Sequence, residues 1–124
     1  MATAAKIADT YKAVTKDWNG FAVLHDAAAR VGGLDVGFVP QDGGMDATKM
    51  LTDADVLFLL GADELDFTKK KAGFTVYIGS HGDNGAHHAD VILPAATYAE
   101  KSGTYVNTEG RVQISNRAGF APGE

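Results

Sequence analysis

Three stretches of this chain are apolar without interruption, at residues 56–60, 74–78 and 91–93. They are rich in β-branched and aromatic residues, so each predicts a short strand. None alternates with polar residues, which suits strands covered on both faces, as in a parallel sheet. Pro94 closes the third run, because proline cannot donate to a ladder. Upstream the period changes. Ala4, Ile7, Ala8, Tyr11 and Val14 recur at helical spacing, predicting a helix over residues 4–14. Asp17-Trp18-Asn19-Gly20 breaks it. Asn19-Gly20 would also suit a hairpin turn, but neither flank alternates, so a helix boundary is expected. Helical spacing resumes through Phe21, Leu24, Ala28 and Val31, and Gly32-Gly33 is expected to end that helix. Residues 34–39 suggest an extended segment and 40–44 a loop. Asp46 is placed to cap a short helix over 46–51.

Beyond Pro94, residues 95–101 suggest a short helical turn. Residues 105–107 and 112–114 read as a β-hairpin, with Gly110 supplying the positive φ of its turn. Helices interleaved with fully apolar strands give an α/β, Rossmann-like layered arrangement. Its mostly parallel sheet (56–60, 74–78, 91–93) is flanked by helices and followed by a C-terminal β-hairpin.

A chain of 124 residues with net charge −5 allows one domain and carries no basic footprint for nucleic acid or anionic membrane. Its only basic run, Lys69-Lys70-Lys71, reads as a solvated connection. The absence of cysteine excludes a disulfide framework and a cysteine-held iron–sulfur cluster. No apolar run approaches membrane-spanning length, and no signal-peptide core is present at the N-terminus. A reducing, aqueous compartment fits this composition.

Four groups of residues invite a chemical reading. Gly79, Gly82 and Gly85 follow a strand and precede an expected helical turn at 86–89, where α/β proteins bind phosphate. Their spacing is G-x-x-G-x-x-G, no Gly-Lys-Ser/Thr follows, and Asp83 adds negative charge, so a tight loop at the sheet's carboxyl edge is favoured. His81, Asp83, His87 and His88 fall within eight positions. His87 and His88 are adjacent and diverge on any regular backbone, so surface histidines are expected and no metal site. His25 is expected to pack in the second helix. Ser80 lacks the first glycine of a nucleophile elbow. Glu100, Lys101, Thr104, Asn107, Glu109 and Arg111 form a polar tail. Glu100 and Glu109 would be a possible acid–base pair. A structural network is favoured instead, with Arg111 pairing a carboxylate and Asn107 bonding turn backbone.

The ordered pattern ADVILPAATYAEKSGTYVNTEGRVQ, residues 89–113, resembles the signature of molybdopterin oxidoreductases and of the large iron–sulfur subunits of respiratory NADH:quinone oxidoreductase (complex I). The preceding YIGSHGDNGAHHADVILP is similar to the complex I branch. The resemblance is strongest from Val56 to Arg117 and extends back to Trp18. It implies that residues 1–124 form a single partial domain cut from a longer subunit, with Met1-Ala2-Thr3 an introduced start and Gly123-Glu124 an arbitrary stop.

Further expectations follow from the likeness. The clusters lie elsewhere in the parent subunit, and FMN and NADH elsewhere in the complex. The partners are other domains of that subunit and neighbouring peripheral-arm subunits, with no nucleic acid and no direct membrane insertion. The location is peripheral, on the cytoplasmic face of a bacterial inner membrane or the mitochondrial matrix side. In the resembling molybdenum enzymes this region helps hold a molybdopterin guanine dinucleotide, and those enzymes often carry Gly-x-Asn-Pro after the first strand. Here the residues are Gly61-Ala62-Asp63-Glu64, with Asp66 following. Carboxylates repel a diphosphate by roughly 1 kcal/mol per close pair in water, and more in a cleft. No catalytic residue is therefore expected, and Gly79, Gly82, Gly85, Asn107 and Arg111 stand only as vestigial cofactor candidates. Two other readings remain: a dinucleotide-binding domain of a formate dehydrogenase or nitrate reductase type enzyme, or an independent phosphate- or nucleotide-binding module.

Overall fold

The computed structural model describes residues 1–25, 27, 30–71 and 73–122. Its elements in chain order are α1 (Ala2–Thr10), α2 (Arg30–Asp35), α3 (Ala47–Asp53), β1 (Val56–Leu60), β2 (Phe74–Gly79), α4 (Asn84–His87), β3 (Val91–Pro94), β4 (Gly103–Val106) and β5 (Val112–Ser115), with a 3₁₀ turn at Phe67–Lys69. They fall into two compact units. One comprises Met1–Phe38 and Thr104–Ile114, the other Val39–Gly103 and Ser115–Glu124.

The second unit holds the sheet. Strands β1, β2 and β3 lie side by side in that order and all run parallel. Leu57 is opposite Thr75 and Leu59 opposite Tyr77, while Val76 and Ile78 face Val91 and Leu93. Side chains alternate across a strand, so each face is set by this register. One face carries Leu57, Leu59, Thr75 and Tyr77 and packs on Leu51 of α3, Phe67 of the 3₁₀ turn and Ala86 of α4; all are buried. Asp46 caps α3 as its position implies: its Oδ1 accepts from the Lys49 N–H at 2.8 Å.

The opposite face corrects an expectation. Unbroken apolar runs suggest cover on both sides, yet Val56, Phe58 and Leu60 are 52%, 62% and 68% exposed, and Phe74, Val91 and Leu93 are also exposed. The connecting segments of this unit bury one face at β1 and β2, though Ile92 of β3 on that face is 57% exposed; the other face is open except at Val76 in the central strand, which is 8% exposed. Sequence pattern reports what a strand is built to bury; what buries it need not lie within the same stretch of chain.

In the first unit, α1 stops at Thr10 instead of reaching Val14. Tyr11 ends it, Lys12 takes a positive φ of 52°, and Val14 bridges antiparallel to Asn19. The Thr15 N–H donates to the Trp18 carbonyl at 2.7 Å, and Thr15 Oγ1 accepts from the Trp18 N–H at 3.1 Å. Residues 14–19 therefore form a tight antiparallel turn, ahead of the expected boundary, because Thr15 satisfies the turn backbone itself.

The second predicted helix, 21–31, is also corrected. Residues 21–25 are not helical, Asp26, Ala28 and Ala29 lie outside the described residues, and α2 runs straight through Gly32-Gly33. Its stop is Gly37, at φ 69°. The Phe38 N–H donates to the Gly33 carbonyl at 2.7 Å and the Gly37 N–H to the Leu34 carbonyl at 3.0 Å. That pair of bonds is the Schellman termination, and it replaces the extended segment expected over 34–39. Gly32 lies close beneath Val106, where an added Cβ would sit 3.5 Å from Val106 Cγ2. The hairpin β4–β5 forms where expected, and Gly110 has φ 83°. Two smaller shifts remain: the turn after the glycine loop is α4, beginning at Asn84 and not at 86, and within residues 95–101 there is no helix but a single turn at 98–100, closed by the Glu100 N–H donating to the Thr97 carbonyl at 3.0 Å.

Candidate functional site

Ligands of parallel α/β sheets sit beyond the carboxyl ends of the strands. Here that edge is built by the loops after β1, β2 and β3. The loop after β1 is led out by Gly61, at φ 57°, and brings Asp63 beneath the loop after β2. Asp63 Oδ1 accepts from the Gly85 N–H at 2.8 Å, and its Oδ2 accepts from the Tyr77 hydroxyl at 3.0 Å. The same hydroxyl lies 2.9 Å from the His81 carbonyl. Tyr77 is 1% exposed, and burial followed by the neighbouring Asp63 carboxylate raises its phenol above the usual tyrosine range.

The glycines of the second loop serve this tyrosine. A Cβ on Gly79 would lie 2.5 Å from Tyr77 Cζ, and one on Gly85 would lie 2.8 Å from Tyr77 Cε2 and 2.6 Å from the Ala62 carbonyl. Both positions are filled by packing, so neither opens the backbone to a ligand. Gly82 differs: nothing lies within 4 Å of its would-be Cβ.

Beside these loops a hollow of about 280 Å³ is lined by Gly79, Ser80, Pro94, Ala95, Thr97 and Glu100, among others. It falls just below the range of ligand cavities, which run roughly 300–1,000 Å³. Its polar groups are largely engaged. The Thr97 N–H and hydroxyl both donate to Glu100 Oε2 at 3.1 Å, and the Ala95 N–H donates to the Gly79 carbonyl. Ser80 Oγ lies 2.9 Å from His81 Nδ1, but both residues are exposed and adjacent in sequence.

The remaining candidates separate. No group of three or more histidine, cysteine, aspartate or glutamate side chains is placed to hold a metal among the described residues. His88 stacks on Phe67 with ring centroids 4.9 Å apart, and its Nδ1 lies 2.9 Å from the Asn84 carbonyl. His25 is half-buried, in a segment that is not helical. Asn107 does bond turn backbone, its Oδ1 accepting from the Glu109 and Arg111 N–H groups at 3.0 and 2.9 Å. The carboxylate partner expected for Arg111 is not found: among the described residues its guanidinium makes no ion pair. Glu100 and Glu109 belong to different units.

Sequence reasoning missed three residues that matter at this edge. Tyr77 stands inside an apolar run, and a buried phenol needs a partner for its hydroxyl; that was the available signal. Asp63 was legible as charge but not as an acceptor. Asp90, the acidic residue of the Ala-Asp-Val motif, accepts the Thr75 N–H on Oδ2 at 2.8 Å and so secures the start of β2.

A family model for molybdopterin oxidoreductases matches residues 1–124. An NADH-quinone oxidoreductase subunit of Rickettsia bellii is 51% identical over 113 residues, covering 91% of this chain and 16% of that protein. The mitochondrial NADH-ubiquinone oxidoreductase 78 kDa subunit of Neurospora crassa is 49% identical over 111 residues, 89% of this chain and 14% of its own. The corresponding Candida albicans subunit is 53% identical over 112 residues, 86% of this chain and 14% of its own. The chain thus spans 14–16% of the length of these relatives.

Proposed function

The chain belongs to the molybdopterin oxidoreductase family, and we propose that it is a structural segment, a single partial domain, of the large subunit of an NADH:quinone oxidoreductase. In this reading it shapes the peripheral arm of the complex and performs no chemical step. The complex passes electrons from NADH through FMN and iron–sulfur clusters to quinone, and all of these cofactors lie outside this chain. Its partners are the rest of its own subunit and neighbouring peripheral-arm subunits, on the cytoplasmic or matrix side of the membrane. No helix among the described residues is long and apolar enough to cross one.

The observation that carries this reading is the open sheet face of Val56, Phe58, Leu60, Phe74, Val91 and Leu93. Parallel sheets bury both faces, and a contiguous apolar surface of this kind marks an interaction site.

A phosphate-bearing pterin cofactor, which the family name implies, does not suit the loop edge. The Gly85 N–H is already taken by Asp63, the tyrosine ring fills the space over Gly79 and Gly85, and Asp63, Glu64 and Asp66 are the wrong sign for a diphosphate. The absence of cysteine allows a direct test. The Phe58→Cys thiol should react rapidly with a maleimide in the isolated chain and stay protected in the assembled enzyme, with the modified peptide read by mass spectrometry. Equal labelling in both settings would overturn the scaffold reading, and so would saturable binding of a guanine dinucleotide by calorimetry.

A further inference from the structure

We infer that Asp63 is a built-in anion, its carboxylate seated between the loops after β1 and β2 so that two buried donors of this edge are met from within. The inference needs only the second unit, and it stands or falls independently of the assembly reading. Both oxygens are committed, to two groups of different kinds on a different loop and strand. The Gly85 N–H reaches Oδ1 at 2.8 Å and the Tyr77 hydroxyl reaches Oδ2 at 3.0 Å. Those donors are not surface groups that water could serve equally well: Tyr77 is 1% exposed and Gly85 is buried. Hydrogen bonds to an ionised acceptor are the strong ones, and leaving a buried donor unpaired costs more than a single bond contributes.

The geometry also explains why the carboxylate comes from this chain. The ring of Tyr77 rests against Gly79 and Gly85, and the two donors beside it are met by the two oxygens of one flat group. The group that fits is a carboxylate, and position 63 supplies it. Removal of that side chain would leave the Gly85 amide without an acceptor and the phenol with the His81 carbonyl alone. A small free carboxylate then has the vacated position to fill.

The test is chemical rescue. Asp63→Ala should lose thermal stability in chloride, and formate at matched ionic strength should restore most of the lost Tm in a saturable way. Acetate should restore less, because of its methyl group, and inorganic phosphate least. Wild type should not respond to formate beyond the common effect of salt. Asp63→Asn keeps the shape and an acceptor oxygen, so it should be milder and insensitive to formate. Should Asp63→Ala fail to fold in chloride, the readout becomes the refolding yield, which formate should raise and chloride should not. Formate acting equally on wild type and Asp63→Ala, or on neither stability nor refolding, overturns the inference.

Discussion

Two neighbouring residues on β1 separate the buried sheet face from the open one, and their truncation should give opposite results in two settings. Leu59 is 2% exposed and Phe58 is 62% exposed. Leu59→Ala removes buried methyl groups and leaves a cavity, so it should cost about 2–5 kcal/mol in the chain by itself. Phe58 is paired across the sheet with Val76 of β2. Cross-strand contacts of that kind contribute about 0.2–1 kcal/mol, so Phe58→Ala should cost no more than about 1 kcal/mol in the isolated chain.

In the assembled enzyme the order changes. With 62% of an aromatic side chain of about 200 Å² open, a covering partner removes roughly 120 Å² from water, worth about 3 kcal/mol at ~25 cal/mol per Å². Phe58→Ala should then weaken association by about two orders of magnitude, at 1.4 kcal/mol per factor of ten. Urea titration reads the first quantity. With a slope of ~1–3 kcal/mol per molar, Leu59→Ala shifts the midpoint by about 0.7 molar or more and Phe58→Ala by a fraction of that. Recovery of the variant subunit in purified complex reads the second. Equal loss from both variants in the isolated chain, or no loss of assembly from Phe58→Ala, would refute the reasoning.

Three further outcomes follow from the second unit. Gly85→Ala forces a Cβ into the Ala62 carbonyl and the Tyr77 ring and should cost about 1–3 kcal/mol by overpacking, whereas Gly82→Ala should stay within about 0.5 kcal/mol; urea midpoints measure both. Thr75 is fully buried and its Oγ1 has no hydrogen-bond partner among the described residues, so Thr75→Val should be neutral or stabilise by about 1 kcal/mol, seen as a higher Tm. The Tyr77 phenol is raised by burial and then by Asp63. Its folded pKa lies above the unfolded value near 10, so its contribution is complete below about pH 10 and is lost as pH rises through the folded value. Melting curves across that range should show an alkaline loss that Tyr77→Phe diminishes.

The strands were legible because their apolar runs are unbroken and two of them stop at a residue with one reading: Gly61 after β1 and Pro94 at the end of β3. The Asp46 cap and the Gly110 turn were legible for the same reason, since local chemistry alone decides them. Helix ends were not. Gly32-Gly33 carries a stop signal, yet the chain stops at Gly37, where Phe38 can complete the paired terminal bonds and Gly33 serves as an acceptor inside the helix. The choice between two glycine signals rests on the next residues and on the close approach of Val106 to Gly32, which no local window contains. Asp63 shows the same limit at longer range. Its charge is visible in the sequence, but its role depends on Gly85, 22 residues later.

The three evenly spaced glycines show why spacing by itself misleads at this edge. Gly79 lies two residues beyond Tyr77 on β2 and so on the same face, where the ring needs room. Gly85 lies at the start of α4, where the ring's other side and the Ala62 carbonyl leave no space for a Cβ. Gly82, between them, meets nothing. Two of the glycines therefore answer to one buried tyrosine, and the third only completes a pattern that resembles phosphate recognition. A phosphate loop needs its amide groups free and aimed at one point, and here the Gly85 amide is held by Asp63 while the Ala86 N–H donates to the Asp83 carbonyl at 3.0 Å. The same carboxylate that occupies the amide also holds the hydroxyl of the tyrosine that required the glycines. Asp63, Tyr77, Gly79 and Gly85 are thus one packing unit, in which the features that suggest a ligand site are consumed in closing it.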